Sequence, residues 1–547
     1  RYKFATSAAH VMGKPLASSE SATWLNEHFL SSWGDVKKAL DLFILGGVNH
    51  IFYHGVAYSP KEEKWPGWLF YAAVHFQQTN PQWKDFHQLN EYVARVQSFL
   101  QKGRPANDIL VYYPLADRYS IPENALLQHF DGMGREFAGT DFEKISTSML
   151  DNGYSFDFFS DKQLQNFTVA NSKIITGGNG YQTIILPANK FISEKSFQKL
   201  VDLARNGAHI LIYKNLPADV PGFANLTARR TAFKKLVDQL TFIDAAGVKK
   251  ATIGKGSFLI ADDLNALLKA GGVRQETLNK NGLQFTRRKN TDGYTYFINN
   301  RSDKDVSKWV SMNEKAASVA MFDAMSNTKG LAHWRSNATG MIEVMLQLKP
   351  FQSIIVELYN TKKTGNPFPY IEQLEKAVAL DGNWMVSFIN GGPAIPATYT
   401  TNALTSWTER EGDTYKYFSG SAKYVTHFAR PVGKATAWQL DLGKVHETAE
   451  VLLNGKRIAT LIGPDYTVTI PVASLAKTNT LEVIVSNLMA NRIIYMDKNN
   501  IEWKKFYNTN MPARRRENSK NGLFDASSWT PLPSGLIGPV TFTPAKR

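Results

Sequence analysis

The chain contains no cysteine among its 547 residues. This absence excludes disulfide bonds and zinc sites with cysteine ligands. It leaves the cellular compartment open, because exported proteins without cysteine are common.

Long apolar runs are also missing from the sequence. No stretch approaches the roughly 18 apolar residues of a membrane-spanning helix, so we predict no membrane span. The chain opens with RYKFATSAAH, which has neither an initiator methionine nor the apolar core of a signal peptide.

Acidic residues are under-represented relative to basic ones, with 48 Asp and Glu against 63 Lys and Arg and a formal net charge of +15. The basic residues are scattered, which argues against nucleic-acid binding as the function. One dense group, Arg514-Arg515-Arg516, is either a solvated loop or a site that meets an anion. An acidic polysaccharide would suit such a surface as well as a nucleic acid would.

Apolar residues make up 43% of the chain and aromatic residues 12%, which is ample for several packed cores. At roughly 150 residues per domain, the length predicts three or four domains. Periodicity divides the chain into two parts with alternating strands and helices and two strand-rich parts. The predicted domains are residues 1–105, 106–244, 245–360 and 371–547.

The closing segment contains four short motifs, which are LDLG (440–443), VLLNGKRI (451–458), NTLEVIVSN (479–487) and SGLIGPV (534–540). Together and in this order they resemble the sugar-binding jelly roll of family 2 glycoside hydrolases. Residues 106–240 resemble the class-I amidotransferase-like domain of family 42 β-galactosidases, although the catalytic cysteine of that domain is absent here.

The first 105 residues contain four further segments, which are KPLASSESATW (14–24), GVNHIFYHGVAYSP (47–60), PGW (66–68) and NEYVARVQSFLQKGRP (90–105). With these segments, the whole arrangement is most similar to family 106 α-L-rhamnosidases.

These resemblances imply a multidomain α/β plus all-β fold. It would consist of the end of a (β/α)8 barrel, a flavodoxin-like α/β domain, a β-sandwich and a carboxy-terminal jelly roll of the galactose-binding type. A closed barrel needs eight strands and about 250 residues. We therefore expect residues 1–105 to be its last part, and the chain to be the carboxy-terminal portion of a longer one.

Glu20 follows a short apolar stretch at residues 16–17, where a predicted strand ends. Glycoside hydrolysis uses two carboxyl groups, and barrel enzymes carry them at the carboxyl ends of strands. Glu20 is thus a candidate catalytic residue, the alternative being a surface or helix-capping glutamate. The resemblance implies an inverting enzyme in which Glu20 acts as the general base. Its general acid would come from a strand outside these 547 residues.

Six further residues are candidates for substrate binding. Trp24 would offer its face to the apolar side of a sugar ring, and Asn49, Tyr53 and His54 lie on or after the next strand. A structural role for His54 is an equal alternative. Trp65 and Trp68, in the following loop, would either stack on sugar or plug the barrel mouth.

Neighbouring residues argue against two other kinds of site, a serine nucleophile and a phosphate-binding loop. Ser18 and Ser19 lack the G-x-S-x-G setting of a serine nucleophile. The run at 177–180, GGNG, lacks the Lys-Ser/Thr of a phosphate loop and is predicted to be a turn.

The sequence therefore predicts an exported (periplasmic or extracellular) α-L-rhamnosidase that acts on plant or algal polysaccharide. The alternatives are a β-galactosidase or β-glucuronidase of the same barrel clan, or a carbohydrate-binding protein without catalysis. The resemblance also implies a calcium ion, whose ligands the sequence does not identify. The expected partners are an oligo- or polysaccharide and the missing amino-terminal part of the chain.

Overall fold

The structure is a computed structural model that describes residues 2–121, 137–338, 340–505 and 511–546. It confirms a multidomain mixed α/β protein with many β-sheets. None of the described helices is long and apolar enough to cross a membrane.

The amino-terminal unit contains two parallel strands flanked by helices. Ser32 begins the second helix, because its side chain and that of Asp35 cap each other's backbone N–H groups. The third helix buries Leu89, Val93 and Val96 against the second. The described residues form only these two strands here and no closed barrel. The helices are Tyr2–Val11, Trp33–Leu45 and Phe86–Leu100, and the strands are Ser18–Ser21 and His50–Tyr53.

The next unit is an α/β domain around a seven-stranded sheet. Five of its strands are parallel and are buried on both faces, as near-continuous apolar runs predict. In sheet order the strands are Ile243–Ala245, Val248–Ile253, Gly256–Ala261, His209–Tyr213, Thr183–Leu186, Ile109–Tyr112 and Phe156–Phe159. The helices are Leu115–Tyr119, Asp141–Asp151, Asp161–Leu164, Glu194–Arg205, Leu226–Val237 and Leu264–Ala270, and a small sheet comprises Thr168–Ala170, Lys173–Ile175 and Gly180–Tyr181.

The predicted boundary between residues 244 and 245 falls inside this seven-stranded sheet. A β-hairpin there adds two antiparallel strands to the sheet edge, and Gly256–Ala261 pairs in parallel with His209–Tyr213. The change to strand-rich sequence at 245 therefore marks the last strands of the α/β domain rather than the start of the sandwich.

The β-sandwich begins near residue 283 and packs a six-stranded sheet on a three-stranded one. Its first two strands form a hairpin that turns at Asp292-Gly293, with Gly293 at φ +124°. The larger sheet, in order, is Thr328–Leu331, Ser318–Asp323, Ser353–Tyr359, Gly293–Asn300, Leu283–Asn290 and Arg104–Pro105, and the smaller is Val306–Met312, Ile342–Leu348 and Trp334–Ser336.

The carboxy-terminal unit packs a five-stranded sheet against a six-stranded one around a core rich in aromatic side chains. The first sheet is Glu372–Gln373, Val378–Ala379, Thr541–Lys546, Ala437–Asp441 and Thr467–Pro471. The second is Tyr399–Thr401, Trp384–Gly392, Ser419–Ala429, Thr478–Ser486, Thr448–Leu453 and Lys456–Leu461. Two small sheets pair Lys444–His446 with Gly535–Gly538 and Ser519–Lys520 with Leu523–Phe524, and the helices are Asp413–Lys416 and Ala490–Lys498.

Residues 487–533 lie between two strands of this unit and leave its sandwich; we call the described part of them the insertion. The insertion packs on the amino-terminal unit, with Trp503 and Phe524 against Phe29 at 5.5 and 5.8 Å between ring centroids. The two units also meet at Gly34, where an added Cβ would lie 2.6 Å from the carbonyl oxygen of Ile462. The carboxy-terminal unit is therefore part of the surroundings of the amino-terminal strands.

Candidate active site

Glu20 lies within the first strand, one residue from its carboxyl end, and not after the strand as predicted. Ser18–Ser21 pairs in parallel with His50–Tyr53, and Glu20 faces Phe52 in the register. A serine-rich sequence has little strand propensity of its own. The first strand covers these serines because it pairs with the apolar neighbouring strand. The side chain of Glu20 is 62% exposed.

Glu20, Thr23 and His54 form a three-membered hydrogen-bonding group. His54 Nδ1 lies 3.1 Å from Glu20 Oε1 and 3.2 Å from Thr23 Oγ1, and Thr23 Oγ1 donates to Glu20 Oε1 at 3.4 Å. The consecutive parallel strands bring these residues together, since their carboxyl ends meet at one sheet edge. An exposed carboxylate oriented by two donors is suited to accept a proton from water or a sugar hydroxyl.

Aromatic rings form one side of this group. His54 makes edge contacts with Phe70 and Tyr71, at 4.6 and 6.0 Å between centroids. Trp24 lies 6.2 Å from Tyr71. Trp24 is thus part of a half-buried aromatic surface beside Glu20, of the kind that packs on the apolar face of a sugar. The sequence pattern alone does not single out Phe70 and Tyr71, which follow the PGW loop after Leu69.

Glu27 holds the insertion against the loop that follows the first strand. Its buried carboxylate accepts hydrogen bonds from the backbone N–H groups of Arg514, Arg515 and His28 and from Asn518 Nδ2, all between 3.0 and 3.1 Å. Burial by itself raises the pKa of Glu27, but these hydrogen bonds outweigh it and lower the pKa below its ordinary value. Nothing in the sequence links Glu27 to a segment almost 490 residues away.

Two buried histidines, His28 and His75, lie next to this contact between the insertion and the amino-terminal unit. His28 Nε2 is 3.1 Å from the carbonyl oxygen of Pro512, so it must donate, and His28 Nδ1 then accepts from His75 Nε2 at 3.2 Å. This arrangement leaves His75 Nδ1 without a proton, consistent with its having no hydrogen-bond partner. Burial lowers the pKa of both histidines, that of His75 well below its usual value, while Pro512 and Glu27 partly offset the effect at His28.

This pair predicts a loss of stability in mild acid. A histidine that is neutral in the folded state but titrates near pH 6.5 when unfolded stabilises the fold above about pH 7 and loses that contribution as the pH falls through about 6.5. In His75→Phe, we expect the melting temperature to fall less between pH 7 and pH 5 than in the wild type. Scanning calorimetry across this range measures the effect. His87→Phe, at an exposed histidine, should keep the wild-type pH dependence; an unchanged slope in His75→Phe would contradict the assignment.

Two of the predicted binding residues have structural partners in the described residues. Asn49 is buried, and its amide accepts from Ala17 N–H and donates to the carbonyls of Pro15 and Leu100. This geometry favours a role in joining the strand starts to the third helix over sugar contact. Trp65 donates to Thr79 O at 3.1 Å, and the Arg492 guanidinium packs over its ring at 4.1 Å. Trp65 therefore joins the loop to the insertion.

The remaining two have different surroundings. Trp68 is half buried, and its Nε1 donates to Glu63 at 3.0 Å. Tyr53 packs on Phe76 and Phe86 at the core, and burial raises the pKa of its hydroxyl. That hydroxyl is enclosed and has no hydrogen-bond partner among the described residues.

The described residues do not identify ligands for the calcium ion that the resemblance implies. Among the residues that the structure describes, no group of three or more His, Cys, Asp or Glu side chains is arranged to hold a metal ion. Calcium remains a prediction.

Comparisons with known proteins agree with the fold and identify the family. The fold is similar to that of a solved rhamnosidase from Novosphingobium sp. PP1Y, with a TM-score of 0.76 and 24% identity over 99% of this chain and 49% of that one. The family model for glycoside hydrolase family 106, described as alpha-L-rhamnosidase, matches residues 1–326. The chain belongs to this family.

This chain covers a smaller share of the length of a second relative. A protein from Formosa agariphila, provisionally named a β-glucuronidase, is 26% identical over 371 residues, which are 66% of this chain and 28% of that protein. The chain thus spans 49% of the solved rhamnosidase and 28% of the Formosa protein.

Proposed function

We propose that this chain contributes part of the active site of an inverting α-L-rhamnosidase that removes rhamnose from plant or algal polysaccharide. Membership of the family described as alpha-L-rhamnosidase carries this proposal. An enzyme for so large a substrate must meet it outside the cytoplasm, so export belongs to the proposal.

In the proposed reaction Glu20 acts as the general base. It takes a proton from a water molecule while that water attacks the anomeric carbon of rhamnose, and the anomeric configuration inverts. His54 and Thr23 orient the carboxylate through their contacts with Oε1. The aromatic surface of Trp24 and Tyr71 would pack against the sugar.

The general acid is proposed to come from strands beyond the two described in the amino-terminal unit. Glu27, the next carboxylate after Glu20, is unsuited to the task because both of its oxygens already accept N–H groups. The second strand and its loop also expose Phe52, Val56 and Tyr58, the last to 81%. Exposed apolar side chains on a two-stranded sheet support a larger sheet in the complete protein.

A panel of aryl glycosides tests the proposal on the full-length protein. We expect phenol release from the aryl α-L-rhamnoside and none from the matching β-galactoside or β-glucuronide. NMR of the first product should show the anomer opposite to that of the substrate. Release from either β-glycoside alone would refute the proposal in favour of that activity, and binding of rhamnoside without release would favour a non-catalytic protein.

A further inference from the structure

The run Arg514-Arg515-Arg516 is held at a fixed place by Glu27. The buried carboxylate accepts the backbone N–H groups of Arg514 and Arg515, at 3.1 and 3.0 Å. Asn518, itself buried, donates its side-chain amide to the same carboxylate. The loop is therefore anchored on both sides of Arg516 by groups removed from water, unlike an ordinary solvated basic loop.

This anchored loop lies beside the candidate active site. Arg514 Nη1 donates to the backbone carbonyl of Trp24 at 2.5 Å. From Trp24, ring contacts of 6.2 and 6.0 Å pass through Tyr71 to His54, which lies 3.1 Å from Glu20. One series of contacts through Trp24, Tyr71 and His54 thus links the basic loop to the candidate catalytic carboxylate.

The next two residues of the run, Arg515 and Arg516, carry positive charges that no described carboxylate neutralises. Arg515 and Arg516 are exposed, and neither guanidinium forms an ion pair with a carboxylate within the described part of the chain. Some exposed arginines elsewhere do have such partners, as Arg230 has Asp219 and Arg335 has Glu343. Two unpaired cations on a loop that is anchored next to this surface create a potential that favours an anionic ligand.

We propose that Arg515 and Arg516 bind the anionic group of the sugar next to the scissile rhamnoside. The substrate class would then be a rhamnose-containing acidic polysaccharide, whose neighbouring sugar carries a carboxylate or a sulfate. Arginine suits both, since its planar guanidinium pairs with either group through two hydrogen bonds. The inference rests on the proposed function and adds the chemical class of its leaving group.

Paired aryl α-L-rhamnosides with the full-length enzyme test this proposal. One substrate carries a para-carboxylate on the leaving phenol and the other the neutral carboxamide, and a para-sulfonate completes the set. The ratio of kcat/KM between charged and neutral substrate, measured in wild type and in Arg515→Gln/Arg516→Gln, cancels the intrinsic reactivity of each phenol. The matched control is Arg430→Gln, an exposed arginine on the sandwich of the carboxy-terminal unit.

We expect the double variant to lower the ratio about threefold to tenfold, the range for one or two exposed ion pairs. Its kcat/KM on the neutral substrate should stay near that of wild type, and 0.5 M salt should lower the wild-type ratio by screening (the Debye length falls to a few Å).

A larger drop of this ratio with sulfonate than with carboxylate would identify a sulfated sugar, and a larger drop with carboxylate would identify a uronate. An equal ratio in wild type and variant overturns the inference while leaving the rhamnosidase proposal intact. Failure to cleave any rhamnoside overturns both.

Discussion

Replacing Glu20 by Gln in the full-length protein is expected to lower kcat/KM for an aryl α-L-rhamnoside by about 10²-fold to 10⁴-fold, the usual contribution of a positioned general base. The amide keeps the size of the side chain and an acceptor for Thr23, but it has no basic oxygen to take the proton of water. Because Glu20 is 62% exposed, the substitution should leave the fold intact. Circular dichroism and the melting temperature check this.

Glu62→Gln is the matched control for the Glu20 experiment. Glu62 is an exposed glutamate in the loop that follows the second strand. The same charge is removed from the same region, so a general electrostatic effect would appear in both variants. Near-normal turnover by Glu20→Gln would rule out Glu20 as the base. Loss of hydrolysis with retained binding of L-rhamnose, by contrast, separates a catalytic role from substrate recognition.

The meeting of Glu20 and His54 could be predicted from the sequence, because both lie near the ends of consecutive predicted strands. Parallel strands joined by a helix place those ends side by side. The apolar pattern predicts a strand over residues 16–17 with Glu20 after it, whereas the strand is Ser18–Ser21. Serine has no clear strand preference, so the position of this strand depends on its neighbour rather than on its own residues.

The partners of Asn49 and Trp65 could not be predicted in the same way. Whether a polar side chain faces substrate or bonds to backbone depends on which carbonyls lie near it in the folded chain, and periodicity does not report this. Asn49 bonds to Leu100 O, 51 residues away, and Trp65 packs under Arg492 of another unit. The domain boundary at 244/245 failed for a related reason, since a hairpin has the same alternating pattern whether it starts a sandwich or extends a parallel sheet.

The role of Glu27 depends wholly on long-range packing, and its removal is expected to have the largest effect on stability. Glu27→Ala would leave three backbone N–H groups and the Asn518 amide without their acceptor. At about 1–3 kcal/mol for a buried unsatisfied donor, we expect the contact between the insertion and the amino-terminal unit to weaken by about 3–5 kcal/mol, allowing for partial access of water. Hydrogen–deuterium exchange should accelerate over residues 511–529 and over the loop at 22–30.

This loss should extend to catalysis, because Arg514 of the released loop also holds the carbonyl of Trp24. We expect kcat/KM on a neutral aryl rhamnoside to fall in Glu27→Ala, while Glu517→Ala, at an exposed position of the same loop, leaves both exchange and activity near wild type.

The pH dependence gives an independent check. Because the folded protein lowers the pKa of Glu27, its stabilisation is present above the unfolded pKa of about 4.3 and is lost as the pH falls below it. Glu27→Ala should therefore remove part of the wild-type protein's acid sensitivity below about pH 4.3; unchanged exchange at 511–529 would mean that the apolar contacts of Phe29, Trp503 and Phe524 alone hold the insertion in place.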